Sequence, residues 1–412
     1  MLMRSSRLLC VFLLVCSLAH AEQEGAGSAT TSAATGSNAA NTALNPAISL
    51  DGLFDYSQFN NNTPLHFLGG HDPYQNGFNL QQVELTMSAN VDPYFAGMAN
   101  IILNHEGGIE VEEAYATTTS LPYNLQAKAG TFFTAFGRFN PIHPHAWAFV
   151  NKPLVLGRMF GGDGLRSLGA QLSWLTPLPW FSELIVSAQN SNSETTISFL
   201  GAQYTPTGET EPVAQTMRSI KDAIVLLRSN NFVSVTDDFL ANFGASYAEG
   251  KNPQTTTSRT RIVGGDIYLK YRKPEELAFI GLQAEVLRRS YDTATEQAND
   301  WGWYAELTYR LPEGWERWHV GLRYDWISDT TNPVQDSTLG GAEISAPVSG
   351  GGQNPNQGER WRISPVVTFY PSEFSKLRFQ YDYDHAPIFA HAQQVGHVEL
   401  EFMIGSHGAH KF

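Results

Sequence analysis

The sequence predicts an all-β chain: a transmembrane antiparallel β-barrel of about sixteen strands, with one long connection folded inward as a constriction loop. Three observations carry the prediction. Short segments of alternating polar and apolar residues recur along the chain, each near the length that a tilted membrane strand requires. Their connections alternate between tight Pro/Asp turns and longer polar loops, the asymmetry of bacterial barrels. After the first 21 residues, no stretch approaches 18 consecutive apolar residues, so no membrane-spanning helix is expected.

The N-terminus reads as an export signal. Arg4 and Arg7 precede an apolar run from Leu8 to Leu18, and Ala19-His20-Ala21 is a small-x-small cleavage site. Residues 1–21 are therefore expected to be a Sec-type signal peptide. Cys10 and Cys16 lie inside it, so neither a disulfide nor a thiolate metal site is expected beyond it. Residues 22–45 are small and polar and read as a flexible periplasmic tail, which leaves 46–412 for the barrel. Loss of the signal would move the formal charge from −14 to −16, because it removes two arginines and no acid. A chain this acidic is not expected to bind nucleic acid.

Taken in order, the strand-like segments are 47–56, 78–89, 94–103, 109–118, 125–133, 167–175, 183–189 and 221–233. They continue as 240–248, 260–272, 278–289, 303–310, 318–327, 361–369, 377–383 and 395–404. An even count places both chain ends in the periplasm. Three segments separate their faces clearly. Trp318, Val320, Leu322, Tyr324 and Trp326 alternate with His319, Arg323 and Asp325. Leu377, Phe379, Tyr381 and Tyr383 alternate with Arg378, Gln380, Asp382 and Asp384; Val398, Leu400, Phe402 and Ile404 alternate with His397, Glu399 and Glu401. Charge facing lipid costs about 2–4 kcal/mol at the midplane, so the apolar faces point out. Asp51, Glu84, Glu112, Arg323, Asp325, Arg378 and Asp382 are then expected to line the lumen. Unpaired buried charge is costly, so these residues argue for a wide, water-filled channel.

Residues 138–166, RFNPIHPHAWAFVNKPLVLGRMFGGDGLR, fit no strand. They hold three prolines and four glycines, and their aromatic residues would not stay in open water. Folded inward, the segment would place Arg138, His143, His145, Trp147, Lys152 and Arg158 at a constriction. Its cations would oppose Asp51, Glu84 and Glu112 and set a transverse field that selects ions. His143 and His145, two apart, suit Zn2+, with weak binding expected of a conducting site. His407 and His410 near the C-terminus form a second candidate metal pair. His385, His391 and His397 would cluster around the last extracellular loop.

The segments GFNLQQVELTMSANVDPYFAG, IEVEEAYATTTSLP, LQAKAGTFFTAFGRFNPIHPHAWAFVNKPL, GLRSLGAQLSWL, YPSEFSKLRFQYDYD and GSHGAHKF resemble a family of proteobacterial outer-membrane proteins. Its members are described as zinc-regulated TonB-dependent outer-membrane receptors. More distantly, the first half resembles the phosphate-selective porin O/P group. The resemblance implies a porin-like barrel of sixteen to eighteen strands and a role in uptake of zinc or another metal. Residues 22–45 leave no room for a plug, so a passive, mildly cation-preferring channel is expected. A TonB-dependent metal transporter and a phosphate- or anion-selective porin stand beside it as alternatives.

No G-x-S-x-G, H-E-x-x-H or P-loop pattern is present, and no enzymatic activity is expected. No cofactor is required; weak Zn2+ binding is the candidate ligand chemistry. The expected partners are outer-membrane lipid and lipopolysaccharide, small solutes or metal ions, and the barrel-assembly machinery, read through the terminal strand and Phe412. A homotrimer is the candidate assembly.

Overall fold

The computed structural model describes residues 46–60, 69–103, 108–201, 216–273, 275–331, 358–386 and 391–405. The signal, the tail, His407, His410 and Phe412 lie outside the described residues. Sixteen strands form one closed antiparallel barrel. They are β1 (Ala47–Phe59), β2 (Gly77–Asn90), β3 (Phe95–Leu103), β4 (Ile109–Thr118), β5 (Leu125–Phe133), β6 (Arg166–Leu175), β7 (Phe181–Gln189) and β8 (Ile224–Ser234). The second half comprises β9 (Phe239–Lys251), β10 (Arg259–Tyr271), β11 (Phe279–Asp292), β12 (Gln297–Arg310), β13 (Trp318–Ile327), β14 (Arg360–Ser372), β15 (Ser375–His385) and β16 (Gln393–Gly405). Each strand pairs with its sequence neighbours. β1 closes the ring on β16, with Asp51 opposite Met403 and Asp55 opposite Glu399. Closure leaves no unpaired edge.

Every segment read from the sequence falls on one of these strands. The largest difference is β12, which starts at Gln297 rather than 303 because the polar stretch ahead of Trp303 still pairs with β11. At β8 the chain first makes a one-turn helix, Ile220–Asp222, closed by a reciprocal Ser219–Asp222 capping box.

The outer surface is apolar. Phe54, Leu172, Leu184, Leu227, Val286, Leu322, Phe379 and Leu400 are each 39–50% exposed and spread around the ring. A continuous belt of this kind suits lipid rather than water.

The interior corrects one expectation. Asp51, Glu84, Glu112, Arg323, Asp325, Arg378 and Asp382 do face inward, but all are at most 2% exposed. They do not line a wide aqueous channel. Many inward charges are paired: Arg228–Asp266 at 2.7 Å, Arg289–Asp300 at 2.6 Å, Lys376–Glu401 at 2.6 Å and Arg378–Glu399 at 2.5 Å. Charge–charge hydrogen bonds offset much of the cost of leaving water. Read one strand at a time, the sequence shows the charges but not their partners on neighbouring strands.

The chain between β5 and β6 fills the space. It contains a one-turn helix, Pro144–Ala146, and a short helix α1 (Leu154–Phe160) that the sequence reading did not anticipate. Every residue of α1 is buried, so LVLGRMF shows no polar face from which a helical period could be read. Phe136, Phe139, Trp147, Leu154, Val155, Met159 and Phe160 form one apolar core with the wall residues Ile185, Leu226, Ala248, Ile262, Leu287, Tyr304 and Ile327. The aromatic residues thus find their partners on the inner wall of β7 to β13.

Candidate functional site

The 138–166 segment is held to the barrel wall at several strands. Toward β11, the backbone N–H groups of Arg138 and Phe139 donate to Glu285 Oε1 at 3.1 and 2.6 Å. Toward β13 and β15, Leu154 N donates to Asp325 Oδ1 at 3.0 Å, Val150 N to Gln380 Oε1 at 2.8 Å, and Asn151 Nδ2 to Asp382 Oδ2 at 2.6 Å. Arg323 Nη1 and Arg378 Nη2 donate to the carbonyls of Asn151 and Trp147 at 2.8 and 2.6 Å. The inward residues predicted to line water instead hold this segment. A cavity of about 30 Å³ beside Asp72, Asn151, Arg362, Asp382 and His397 has room for only one or two waters.

At the β2–β4 side the segment meets a histidine–carboxylate cluster. His143 Nδ1 lies 3.0 Å from Glu112 Oε2 and 3.2 Å from Glu84 Oε2. Its Nε2 lies 3.0 Å from Glu113 Oε2 and 3.0 Å from Asn100 Nδ2. His145 stacks on His143 at 5.7 Å between ring centres, with its Nδ1 3.6 Å from the same Glu84 oxygen. Asp51 sits directly across from Glu84 in the β1–β2 register. His71, in the connection before β2, reaches within 4.0 Å of Glu112. Carboxylates this dense and this buried need counter-charge. Burial alone would lower the His143 pKa, but Glu84 and Glu112 outweigh it and hold the ring well above its usual range. Burial acts the same way on His145, and Glu84 reverses it.

Local strand geometry builds this cluster. Asn100 pairs with Glu113, yet the next residue, Ile101, pairs with Val111. Glu112 is the extra residue of a β-bulge, and the bulge turns two consecutive glutamates inward. Strict alternation assigns Glu112 to the lumen and misses Glu113, which is 7% exposed. The signal was in the sequence: a glutamate at a position that alternation points toward lipid marks a break in register. His71 was missed because it lies in a connection rather than a strand.

The predicted constriction residues are placed as follows. Arg138 lies over the Tyr268 ring at 4.1 Å and donates from Nε to Gln283 at 2.8 Å. Lys152 Nζ donates to the carbonyl of Gly162 at 2.6 Å, and its backbone N–H to Asp72 Oδ1 at 2.9 Å. Arg158 donates to the carbonyls of Ser328 and Gly358 at 2.7 and 2.5 Å. Trp147 packs on Phe139 at 5.1 Å and donates to the carbonyl of Ile142. Thus, of the predicted constriction residues, His143 contacts Glu84 and Glu112 and His145 contacts Glu84, whereas the three cations are held elsewhere. The expected cluster of His385, His391 and His397 does not form. His397 is buried inside against Asp382 at 3.0 Å, whereas His385 is exposed beside Trp361.

A closed sixteen-stranded barrel with an apolar belt, and with the connection from β5 to β6 packed against its inner wall, defines a porin-like transmembrane architecture. Solved structures agree at the level of fold. An anion-selective porin from Comamonas acidovorans superposes with a TM-score of 0.53 at 9% identity, over 87% of this chain and 100% of that one. The trimer form of OmpT, an outer-membrane protein of Vibrio cholerae, gives 0.52 at 8% identity over 87% and 99%. Salmonella typhi OmpF in complex with daunomycin gives 0.51 at 11% identity over 87% and 97%. No protein-family model matches the chain. The chain belongs to the family of an uncharacterized protein of Aquifex aeolicus (strain VF5), 30% identical over 372 residues, which are 84% of this chain and 73% of that protein.

Proposed function

We propose that the protein is an outer-membrane channel for small solutes or ions, exported by the signal at residues 1–21, in which residues 138–166 set the narrowest point. The observation that carries this reading is the anchoring of that segment to Glu285 on β11, Asp325 on β13 and Gln380 and Asp382 on β15, together with the seat of His143 against Glu84 on β2 and Glu112 on β4. A lumen so closely filled passes small ions at low conductance and excludes larger solutes. The acidic balance of the chain and the cluster around Glu84 favour cations over anions.

The finer reading is that divalent metal ions are among the cargo, supported by the convergence of Glu84, Glu112 and His143. A homotrimer is the proposed assembly, by analogy with the trimer form of the Vibrio OmpT fold neighbour. Planar-bilayer recording of purified protein in a salt gradient tests the channel. A small unit conductance with a reversal potential of cation sign is expected, and clear anion preference would overturn the selectivity. Partial block by added Zn2+ supports the metal reading, and its absence removes that reading alone.

A further inference from the structure

We propose that Glu84, Glu112 and His143 form a binding site for one first-row divalent transition-metal ion that ties the inward segment to β2 and β4. The proposal deepens the reading above, since it rests on the segment being seated in the lumen, but it does not require conduction.

The geometry fits. One ligand atom from each residue can be chosen so that all three lie within 4.8 Å of one another. Tetrahedral ligands at about 2.0–2.2 Å from a metal stand about 3.3 Å apart. His143 Nδ1 stands 3.0 Å from Glu112 Oε2 and 3.2 Å from Glu84 Oε2. His143 Nδ1 and Glu112 Oε2 are both buried, and despite their closeness neither makes an aligned hydrogen bond.

The surroundings fit as well. Glu113 Oε2 would accept a hydrogen bond from His143 Nε2–H and so leave Nδ1 as the ligand, the usual arrangement behind a metal-bound imidazole. Glu84 is oriented by Gln82 Nε2 at 2.8 Å and Thr86 Oγ1 at 3.0 Å. His145 Nδ1 is near enough to Glu84 to complete four ligands. One imidazole and two carboxylates suit Zn2+, Co2+, Ni2+ or Fe2+; Ca2+ would require six to eight oxygens. A dication there would supply the counter-charge that the carboxylates need.

Cobalt tests the site directly. Tag-free full-length protein in detergent, stripped with EDTA, is titrated with Co2+ while visible absorption is recorded. A single equivalent should give intense bands of low-coordinate cobalt, removed by Zn2+. Glu112→Gln, nearly isosteric and still able to pack, should abolish them, as should His143→Ala. Glu113→Gln should weaken binding about 10–100-fold, since it orients a ligand. His385→Ala, on the outer face, should change nothing. Folding of each variant is checked by heat-modifiable migration on gels. Absence of the bands in the parent protein, or bands undiminished in folded Glu112→Gln, would overturn the site. Cobalt binding by protein that does not conduct would sink the channel and leave the site standing; conduction without cobalt binding would do the reverse.

Discussion

Arg323 and Asn151 meet inside the barrel: Arg323 Nη1 donates to the Asn151 carbonyl at 2.8 Å, and Nη2 to its side-chain oxygen. Arg323 also holds Asp325 at 2.9 Å, and Asp325 accepts from Leu154 N. One ion pair on β13 therefore grips both ends of 151–154. Removing one partner of a buried pair typically costs about 3–5 kcal/mol, and Arg362, 3.5 Å from Asp325, should keep the cost at the low end. Arg323→Leu is expected to unfold at lower denaturant and to be cut by protease within residues 138–166. A protease pattern identical to the parent's would mean that the pair does not hold the segment.

Gly137 begins the inward turn with φ +62, and a Cβ there would overlap Glu285 Oε2. Gly137→Ala adds left-handed strain of about 1–2 kcal/mol and displaces the carboxylate that anchors Arg138 and Phe139. The same proteolysis assay should show faster cleavage near the start of the segment. Gly314, with φ +88 but no atom within 4 Å of its Cβ position, serves as the comparison and should leave that cleavage unchanged.

Burial pushes the Lys152 amine down to about 8, against the pull of Asp163, Asp72 and Glu112, with Arg166 adding to the depression. The amine is charged below that pH and neutral above it. Raising the pH through 8 removes a positive charge from the narrow region, so cation preference should rise. Reversal potentials between pH 7 and 9 should show this step in the parent, and Lys152→Met should lack it. A step of equal size in the variant would assign it to another group.

The outer belt makes a separate prediction. Leu400 is 43% exposed among apolar neighbours, and an arginine there would face lipid. Leu400→Arg should cost about 2–4 kcal/mol near the midplane and reduce the heat-modifiable, folded fraction. Normal assembly of the variant would argue that this face meets water.

Strands were legible because two-residue alternation is a local signal, and turn chemistry bounds it on both sides. β4, β5 and β13 match the sequence reading to the residue. Three features were not legible, each for a physical reason. The bulge at Glu112 depends on a one-residue slip against β3. Helix α1 is buried all round and carries no periodic polar face. The charge pairs join residues brought together only by barrel closure, as when Arg378 on β15 meets Glu399 on β16. Missing those pairs led to the expectation of an open, wet lumen. The aromatic residues of 138–166 were read as needing apolar partners, and Phe139, Trp147 and Phe160 share one apolar core with residues of the strands.

The central claim is that residues 138–166 occupy the lumen and limit passage. Its most direct test is single-channel conductance of the parent beside a variant lacking 142–156, the stretch carrying His143, His145, Trp147, Asn151, Lys152 and Leu154. The account predicts a severalfold rise in conductance, with β content by circular dichroism and heat-modifiable migration retained. Unchanged conductance in a folded variant would place the permeation path elsewhere and contradict the account.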